Sequence, residues 1–220
     1  MELISNISVF IASCVVIYGI NAWRREFRGK RQIELAENVL ALFYEARDVI
    51  RAIRSPLGFG GEGSTRKPRG NETPEVKKAR DDAYVMFERY QKRQELFSKI
   101  YSMRYRFMVQ IGCEAAKPFE DLRGIVNELF GAARRLARLW TTDISSLKSE
   151  EQHFEKQQKY ELIFWESDDE HDPINPRLDK VVSDMESICR GIITANGSGF
   201  SIFNKLWSKI RKLKKNNMVF

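Results

Sequence analysis

Apolar residues recur at intervals of three and four along most of the chain, which is the spacing of one face of an α-helix. Between Ile33 and Ile53 they form two neighbouring stripes, so this helix is predicted to be buried on more than one side. A second periodic segment, residues 75–111, is predicted to be one long helix that ends at Gly112. No run of alternating apolar and polar residues indicates a strand. The pattern predicts an all-α protein whose body is a helical bundle or a set of long antiparallel helices.

Three further helices are predicted towards the end of the chain. Pro118 opens the first, and Ser149 is the predicted N-cap of the second, with Gln152 as its partner three residues later. The third begins at Arg177, and residues 196–199, "NGSG", are predicted to be a flexible stop after it. The apolar face of the first of these helices comprises Leu122, Ile125, Val126, Leu129, Phe130, Ala133, Leu136 and Trp140.

The start of the chain has a different pattern, because residues 3–23 contain no charged side chain. A transmembrane helix needs about 20 mostly apolar residues, so residues 1–23 are predicted to be a membrane anchor. A cleaved signal peptide does not fit, since Glu2 precedes the apolar run and no small-residue cleavage site follows it. The alternative is a buried core helix in a soluble protein.

The net charge of +7 is concentrated in two short segments. Residues 24–31 carry +4 and residues 200–220 carry +6, so the rest of the chain carries −3. A nucleic-acid-binding protein usually spreads its basic residues over the folded surface, so no nucleic-acid partner is predicted. The basic residues after the anchor predict that the bulk of the chain is cytoplasmic and the N-terminus lies outside.

Residues 196–220 are predicted to form a basic amphipathic helix that lies on an anionic membrane surface. The alternatives are a bundle helix with a solvated basic side and a helix that binds a protein partner. Membrane lipids of the inner leaflet are therefore a predicted partner. The predicted membrane-interface residues are Trp23, Arg24, Arg25, Arg28, Lys205, Trp207, Lys209, Arg211 and Lys212.

Residues 55–74 are rich in glycine, proline and small polar residues and are predicted to be a long flexible loop. Gly58, Gly60 and Gly63 match the spacing G-x-G-x-x-G, but a dinucleotide site needs this motif between a strand and a helix. Here the motif follows a helix, so it does not predict a cofactor. Nearby basic residues leave an anionic ligand or a lipid headgroup as the alternative: Arg66, Lys67 and Arg69.

No catalytic residue, metal or cofactor is predicted. The acidic segment 168–172 surrounds His171 and offers oxygen ligands for a divalent cation, but a solvated loop is the preferred interpretation. The three cysteines, Cys14, Cys113 and Cys189, are widely spaced and odd in number, which favours a reducing compartment over a disulfide framework.

The segment "NAWRREFRGKRQIELAENVLALFYEARDVIRAIRSPLGFGGEG", residues 21–63, resembles uncharacterised bacterial single-pass membrane-anchored helical proteins. The resemblance implies a bacterial inner (plasma) membrane setting and brings no assigned activity. The predicted domains are the anchor over 1–23, a cytosolic helical bundle over 24–195 and the amphipathic helix over 196–220. The predicted function is a membrane-tethered scaffold or regulatory protein that binds a protein partner or forms a homo-oligomer.

Two alternatives to that function stay open. One is a membrane-associated enzyme or toxin-like effector that acts on a phosphorylated or lipid substrate, for which the basic loop and the acidic segment are the motivation. The other is a pore-forming or envelope-stress component that oligomerises through polar residues of the anchor such as Asn6 and Ser13.

Overall fold

The computed structural model describes the backbone of residues 2–58, 60–68, 70–143, 149–167 and 171–216, and side chains of these ranges between residues 15 and 195. Within these ranges the chain is helical and has no strand, so the all-α prediction is confirmed. A 3₁₀ turn, Glu114–Ala116, precedes the fourth helix. The helices are α1 (Glu2–Arg54), α2 (Pro74–Gln91), α3 (Gln94–Gln110), α4 (Lys117–Leu139), α5 (Glu150–Phe164) and α6 (Asn175–Asn216).

The chain divides into two compact units, one of residues 1–39 with 187–220 and one of residues 40–186. In the first unit a short stretch of α1 is buried, comprising Leu35, Ala36 and Val39. Cys189 of the same unit is also buried, and this burial raises the pKa of its thiol to about 11. Burial makes Cys189 a small apolar core residue, whereas Cys113, the other described cysteine, is exposed.

The core of the second unit is built on α4, which packs against α2 and α5. Six of the eight residues predicted for the apolar face of α4 are buried, whereas Phe130 and Trp140 are half-buried. Phe119 at the start of α4 joins the other helices, because its ring lies 5.0 Å from that of Phe43 and 5.6 Å from that of Phe107. Such aromatic pairs stabilise a core beyond the area that they bury.

The single long helix predicted over residues 75–111 is wrong, because the structure interrupts it at Lys92 and Arg93. The interruption brings the rings of Tyr90 and Phe97 to 4.6 Å, in a stacked arrangement. In an uninterrupted helix two residues seven positions apart are separated by about 10 Å along the axis and cannot stack. Tyr90 also contacts Phe130 at 4.8 Å, so the bend lets α2 and α3 share one aromatic cluster with α4.

The predicted flexible stop at residues 196–199 is not a break in the structure, since α6 continues through it to Asn216. A glycine lowers the stability of a helix interior by only about 0.5–1 kcal/mol, which weakens a helix without ending it. The side chains after residue 195 lie outside the described part. The predicted interface residues of this segment therefore stay predictions: Lys205, Trp207, Lys209, Arg211 and Lys212.

Helix α1 runs without interruption from Glu2 to Arg54. None of the described residues belongs to a helix that is long and apolar enough to cross a membrane. The side chains of residues 1–14 lie outside the described part, and the predicted anchor over 1–23 falls largely on them.

Candidate functional site

The glycine-rich loop makes hydrogen bonds to α2, while its predicted flexibility stays a prediction. Arg66 donates to Glu72 and, at 2.7 Å, to Asp81 on α2. Arg80 donates to the same Glu72 at 2.6 Å, and Lys77 donates to Asp81 at 2.7 Å. Arg66 is therefore occupied by two carboxylates and is not the free anion ligand that the sequence suggested. Arg69, its predicted companion, lies outside the described residues.

Gly63 has a structural role in this loop. Its φ of +83° is one that side-chain-bearing residues rarely adopt, and a Cβ atom there would lie 2.0 Å from the backbone oxygen of Asp81. Its N–H donates to Glu88 Oε2 at 2.9 Å. Close packing of the loop on α2 thus explains the glycine at position 63, whereas a Cβ atom at Gly60 would meet no atom within 4 Å.

Arg89 of α2 joins the loop to the end of α1. It donates to the backbone oxygens of Ile53 at 3.1 Å and Ser55 at 2.6 Å, and to Glu62 at 2.6 Å. Carbonyl groups at the end of a helix have no partner within the helix. Arg89 therefore acts as a cap that α2 supplies to α1.

The side chain of Arg54, in the last turn of α1, is fully buried. Its guanidinium donates to both carboxylate oxygens of Asp172, at 2.8 and 3.0 Å. It also donates to three backbone oxygens at the end of α5, those of Leu162 at 3.0 Å, Ile163 at 3.0 Å and Trp165 at 2.8 Å. A buried charge of this kind is tolerated only when it is paired and hydrogen-bonded throughout, so Arg54 is a structural residue.

Asp172 completes this arrangement by capping the start of α6. Its carboxylate accepts from the N–H groups of Ile174 and Asn175, both at 2.8 Å, and of Ser167 at 3.0 Å. Burial alone would raise the pKa of Asp172, but the hydrogen bonds from Arg54 and from these N–H groups outweigh it, and the pKa lies below its ordinary value.

The acidic segment that suggested a metal site is thus used for structure at Asp172. Residues 168–170 lie outside the described part, and His171 is exposed. His153 is buried against the ring of Phe154, at 6.0 Å between ring centroids. In the described part of the chain no group of three or more His, Cys, Asp or Glu residues could hold a metal ion.

A groove of about 1390 Å³ lies between α2, α4 and loop residues 65–68. Glu88 is the single acidic residue of its described lining. Phe87 lies in the same lining, with its ring stacked on Phe130 at 5.0 Å and the guanidinium of Arg134 5.9 Å from its centre. The basic residues of the lining are Arg66, Lys67, Arg80, Lys92, Arg134 and Arg138.

Three of these six cations are matched by carboxylates. Arg66 and Arg80 bind Glu72, and Lys92 binds Glu88 at 3.1 Å. The remaining three are exposed and bind no carboxylate within the described part of the chain: Lys67, Arg134 and Arg138. An excess of positive charge in a concave surface attracts anions, and this groove is the candidate functional site.

Sequence reasoning missed the basic side of this groove. Basic residues near the end of a helix complement its dipole, which accounts for Arg134, Arg135 and Arg138 without a ligand. The spacing of Arg134 and Arg138 is four residues, which places both on one side of a helix, whereas Arg135 lies over the ring of Tyr160 at 5.1 Å. The four-residue spacing of Arg134 and Arg138 could therefore have been noticed in the sequence. It does not predict that α2 forms the opposite side of the groove.

A second, smaller groove of about 570 Å³ is lined by Trp140 and Trp165, by Glu62 with Arg89, and by the glycine-rich loop. The indole N–H of Trp140 donates to Glu161 at 2.9 Å, which holds that ring in place. The charge of Arg89 here is matched by Glu62. This groove therefore offers aromatic surface without a comparable excess of charge.

The interface residues predicted on α1 are exposed, namely Trp23, Arg24, Arg25 and Arg28. Trp23 stacks on Phe27 at 5.7 Å, and Phe27 in turn carries the guanidinium of Arg31 at 4.9 Å. No family model, curated protein or solved structure matches this chain.

Proposed function

We propose that this protein is a helical scaffold or regulatory module that is tethered to a membrane and presents its body at the cytoplasmic face. The observation that supports the tether is the exposure of consecutive apolar residues on α1: Val15 is 65% exposed, Val16 59%, Ile17 60% and Tyr18 69%. Because successive helical residues turn by about 100°, four in a row cover the whole circumference. A helix that is apolar all round is typical of a membrane span or a fully buried element.

The basic residues that follow support the orientation. Arg24, Arg25 and Arg28 are exposed and come directly after the apolar stretch. Basic residues next to a span are retained on the cytoplasmic side, and each contributes about 1 kcal/mol of attraction to an anionic leaflet. The basic segment 200–220 is proposed to add a second contact with the same lipids. On this proposal the protein resides in a bacterial inner membrane, with the residues before the span outside.

A protein partner or a second copy of the chain is proposed to bind the body of the module. The role is proposed to be non-enzymatic. The buried charged groups around Arg54 and Arg66 are paired with carboxylates of the same chain, so they serve the fold rather than a substrate. The alternative, an enzyme or toxin-like effector that acts on a phosphorylated or lipid substrate, is favoured by one observation. That observation is the excess of cations in the groove between α2 and α4.

Fractionation of the full-length chain tests the tether. The full chain is expected in the membrane pellet after ultracentrifugation and alkaline washing, with a C-terminal reporter active in the cytoplasm. The variant Val16→Arg places a charge in the apolar stretch, which costs about 2.5–3.5 kcal/mol at the centre of a span, and is expected to reduce the pelleted fraction. The control is Val109→Arg on α3, where an apolar residue that is more exposed than Val16 (86% against 59%) lies outside that stretch.

Two results would contradict the tether. One is a full-length protein that stays in the supernatant, and the other is a C-terminal reporter that is active in the periplasm. The scaffold role is tested separately by capture of the tagged chain in mild detergent. Recovery of neither a partner protein nor a second copy of the chain would count against that role.

A further inference from the structure

We propose that the groove between α2 and α4 binds a ligand that carries two or more phosphoryl groups. The proposal goes beyond the tether and scaffold role, because it assigns a ligand class to a site on the body of the protein. It is carried by the three unmatched cations, Lys67, Arg134 and Arg138, which line one concave surface from two different parts of the chain.

The six cations of the lining differ in whether they form ion pairs. Three of them do, whereas Lys67, Arg134 and Arg138 do not within the described part of the chain. Arg66 and Arg80 converge on Glu72, whose side chain is only 4% exposed, so these two are committed to the loop. Lys92 and Glu88 neutralise each other. The groove is left with three positive charges that form no ion pair in the described part of the chain, and a binding partner of opposite charge is the simplest way to offset them.

The number and type of the unmatched cations favour phosphoryl groups. A phosphate monoester carries a charge of about −1.5 to −2 at neutral pH, so two such groups match the +3 of the groove, whereas two carboxylates do not. Two of the three cations are arginines, whose planar forks bind phosphate oxygens through paired hydrogen bonds. The lysine opposite contributes a compact charge from the loop side.

The size and the aromatic wall of the groove indicate that the ligand has an organic part. A volume of about 1390 Å³ exceeds the roughly 300–1,000 Å³ of ordinary small-molecule sites, so a single phosphate ion would leave most of the groove empty. Tyr84 and Phe87 lie in the lining and are half-buried. Their rings provide an apolar surface beside Arg134, on which the base of a nucleotide or the start of a lipid's acyl chain can pack.

Two sources can supply this chemistry, a soluble polyphosphate compound and a phosphorylated lipid headgroup. The first experiment measures the binding of inorganic pyrophosphate and of ATP to the full-length protein in mild detergent by calorimetry, with citrate as a carboxylate of similar charge. Pyrophosphate or ATP is expected to bind more tightly than citrate. The second experiment measures binding of the same protein to vesicles of phosphatidylcholine with and without a phosphatidylinositol bisphosphate.

The variant pair Arg134→Gln and Arg135→Gln gives a matched control. Both residues are exposed arginines on α4, both lie over an aromatic ring, and only Arg134 lines the groove. Arg134→Gln is expected to weaken binding of the phosphoryl probe by about tenfold, the loss typical of one hydrogen bond to a charged group. The double variant with Arg138→Gln is expected to abolish measurable binding. Arg135→Gln is expected to leave binding unchanged.

The outcomes either distinguish the two sources of the ligand or overturn the proposal. Binding of pyrophosphate or ATP that depends on Arg134 supports a soluble ligand, and vesicle binding alone that depends on Arg134 supports a headgroup. Equal loss in the Arg134 and Arg135 variants would show that only general surface charge is involved and would overturn the proposal. The proposal would also be overturned if citrate bound as tightly as pyrophosphate. The same holds if the unmodified protein, with its helical circular dichroism intact, bound none of the probes.

Discussion

Two sets of arginines in the second unit differ in what surrounds them. Arg54 is fully buried, with its guanidinium surrounded by one carboxylate and three backbone oxygens. Arg134 and Arg138 are exposed on one side of α4 and bind no carboxylate in the described part of the chain. An arginine therefore stabilises the fold at position 54, whereas the arginines at positions 134 and 138 keep their charge available to a ligand.

This contrast separates charge that stabilises the fold from charge that is available to a ligand. A buried charge must be satisfied within the fold, since an unpaired one costs several kcal/mol. An exposed cation costs little, so its position is free to serve a ligand. The comparison predicts that changes at Arg54 act on stability and that changes at Arg134 act on binding. A buried carboxylate that pairs with cations of the groove lining, such as Glu72, is predicted to act on both.

Replacing Arg54 tests the structural side of the comparison most directly. Arg54→Ala removes the partner of a buried carboxylate and exposes the end of α5, and we expect a loss of about 3–5 kcal/mol in the free energy of unfolding. Urea denaturation followed by circular dichroism measures it. The control is Arg51→Ala, one turn earlier, whose pair with Asp179 is 39% and 47% exposed. Exposed pairs contribute about 0.2–1 kcal/mol, so equal losses in the two variants would contradict the assignment.

Gly63 gives a test in which no charge changes. Gly63→Ala places a Cβ atom 2.0 Å from the backbone oxygen of Asp81 at a φ of +83°, so the loop has to move away from α2. We expect a loss of about 3 kcal/mol, the upper range for one strained backbone position, measured by thermal unfolding. Gly61→Ala is the control, since it has a φ of +90° but no atom within 4 Å of the added Cβ. A smaller loss, of about 1 kcal/mol, is expected there.

Glu72 binds Arg66 and Arg80, which line the groove, and its replacement is predicted to change stability and ligand binding in opposite directions. Glu72→Gln weakens the hydrogen bonds to Arg66 and Arg80, and a loss of about 1–3 kcal/mol of stability is expected. It also leaves the groove with one more unmatched positive charge, so pyrophosphate is expected to bind several-fold more tightly. Unfolding curves and calorimetry on one protein preparation measure the two effects. A variant that loses both stability and affinity would break the proposed division.

The pH dependence of stability is the smallest expected effect. The pKa of Asp172 is below its ordinary value in the folded protein, so the unfolded chain binds the proton more tightly. Its contribution is therefore complete above the unfolded pKa of about 3.9 and is lost as the pH falls through the folded value. Denaturation midpoints are expected to stay level between pH 7 and pH 5 and to fall below about pH 4, with a shallower decline in Asp172→Asn. Midpoints that rise on acidification would contradict this sign.

The sequence predicted the fold well where one helix face has one partner. The apolar stripe of α4 and the N-cap at Ser149, which accepts from the Gln152 N–H at 3.4 Å, both follow from local spacing. The interruption at Lys92 and Arg93 did not follow, because the apolar spacing continues across it. The contacts that accompany the bend, of Tyr90 with Phe97 and with Phe130, form only in the folded chain and are not contained in the periodicity.

The candidate site was less predictable than the fold. The loop residues Arg66 and Lys67 were singled out from the sequence, but the structure divides them, since only Lys67 is unmatched. Distinguishing them requires Glu72 and Asp81, which approach the loop only after α2 packs against it. The ion pair of Arg54 with Asp172 joins residues that are 118 positions apart in the sequence. No local sequence pattern relates them.

The close fit of Gly63 against α2 has a consequence for how quickly and how tightly a ligand binds. A wall that is already in place when a ligand arrives does not have to be ordered by it, and the ordering of each mobile side chain or loop segment otherwise subtracts from affinity. Lys67 stands on such a wall, four residues after the glycine. A substitution at Gly63 that moves the loop away from α2 is therefore expected to lower the association rate and the affinity of the ligand, although Gly63 does not line the groove.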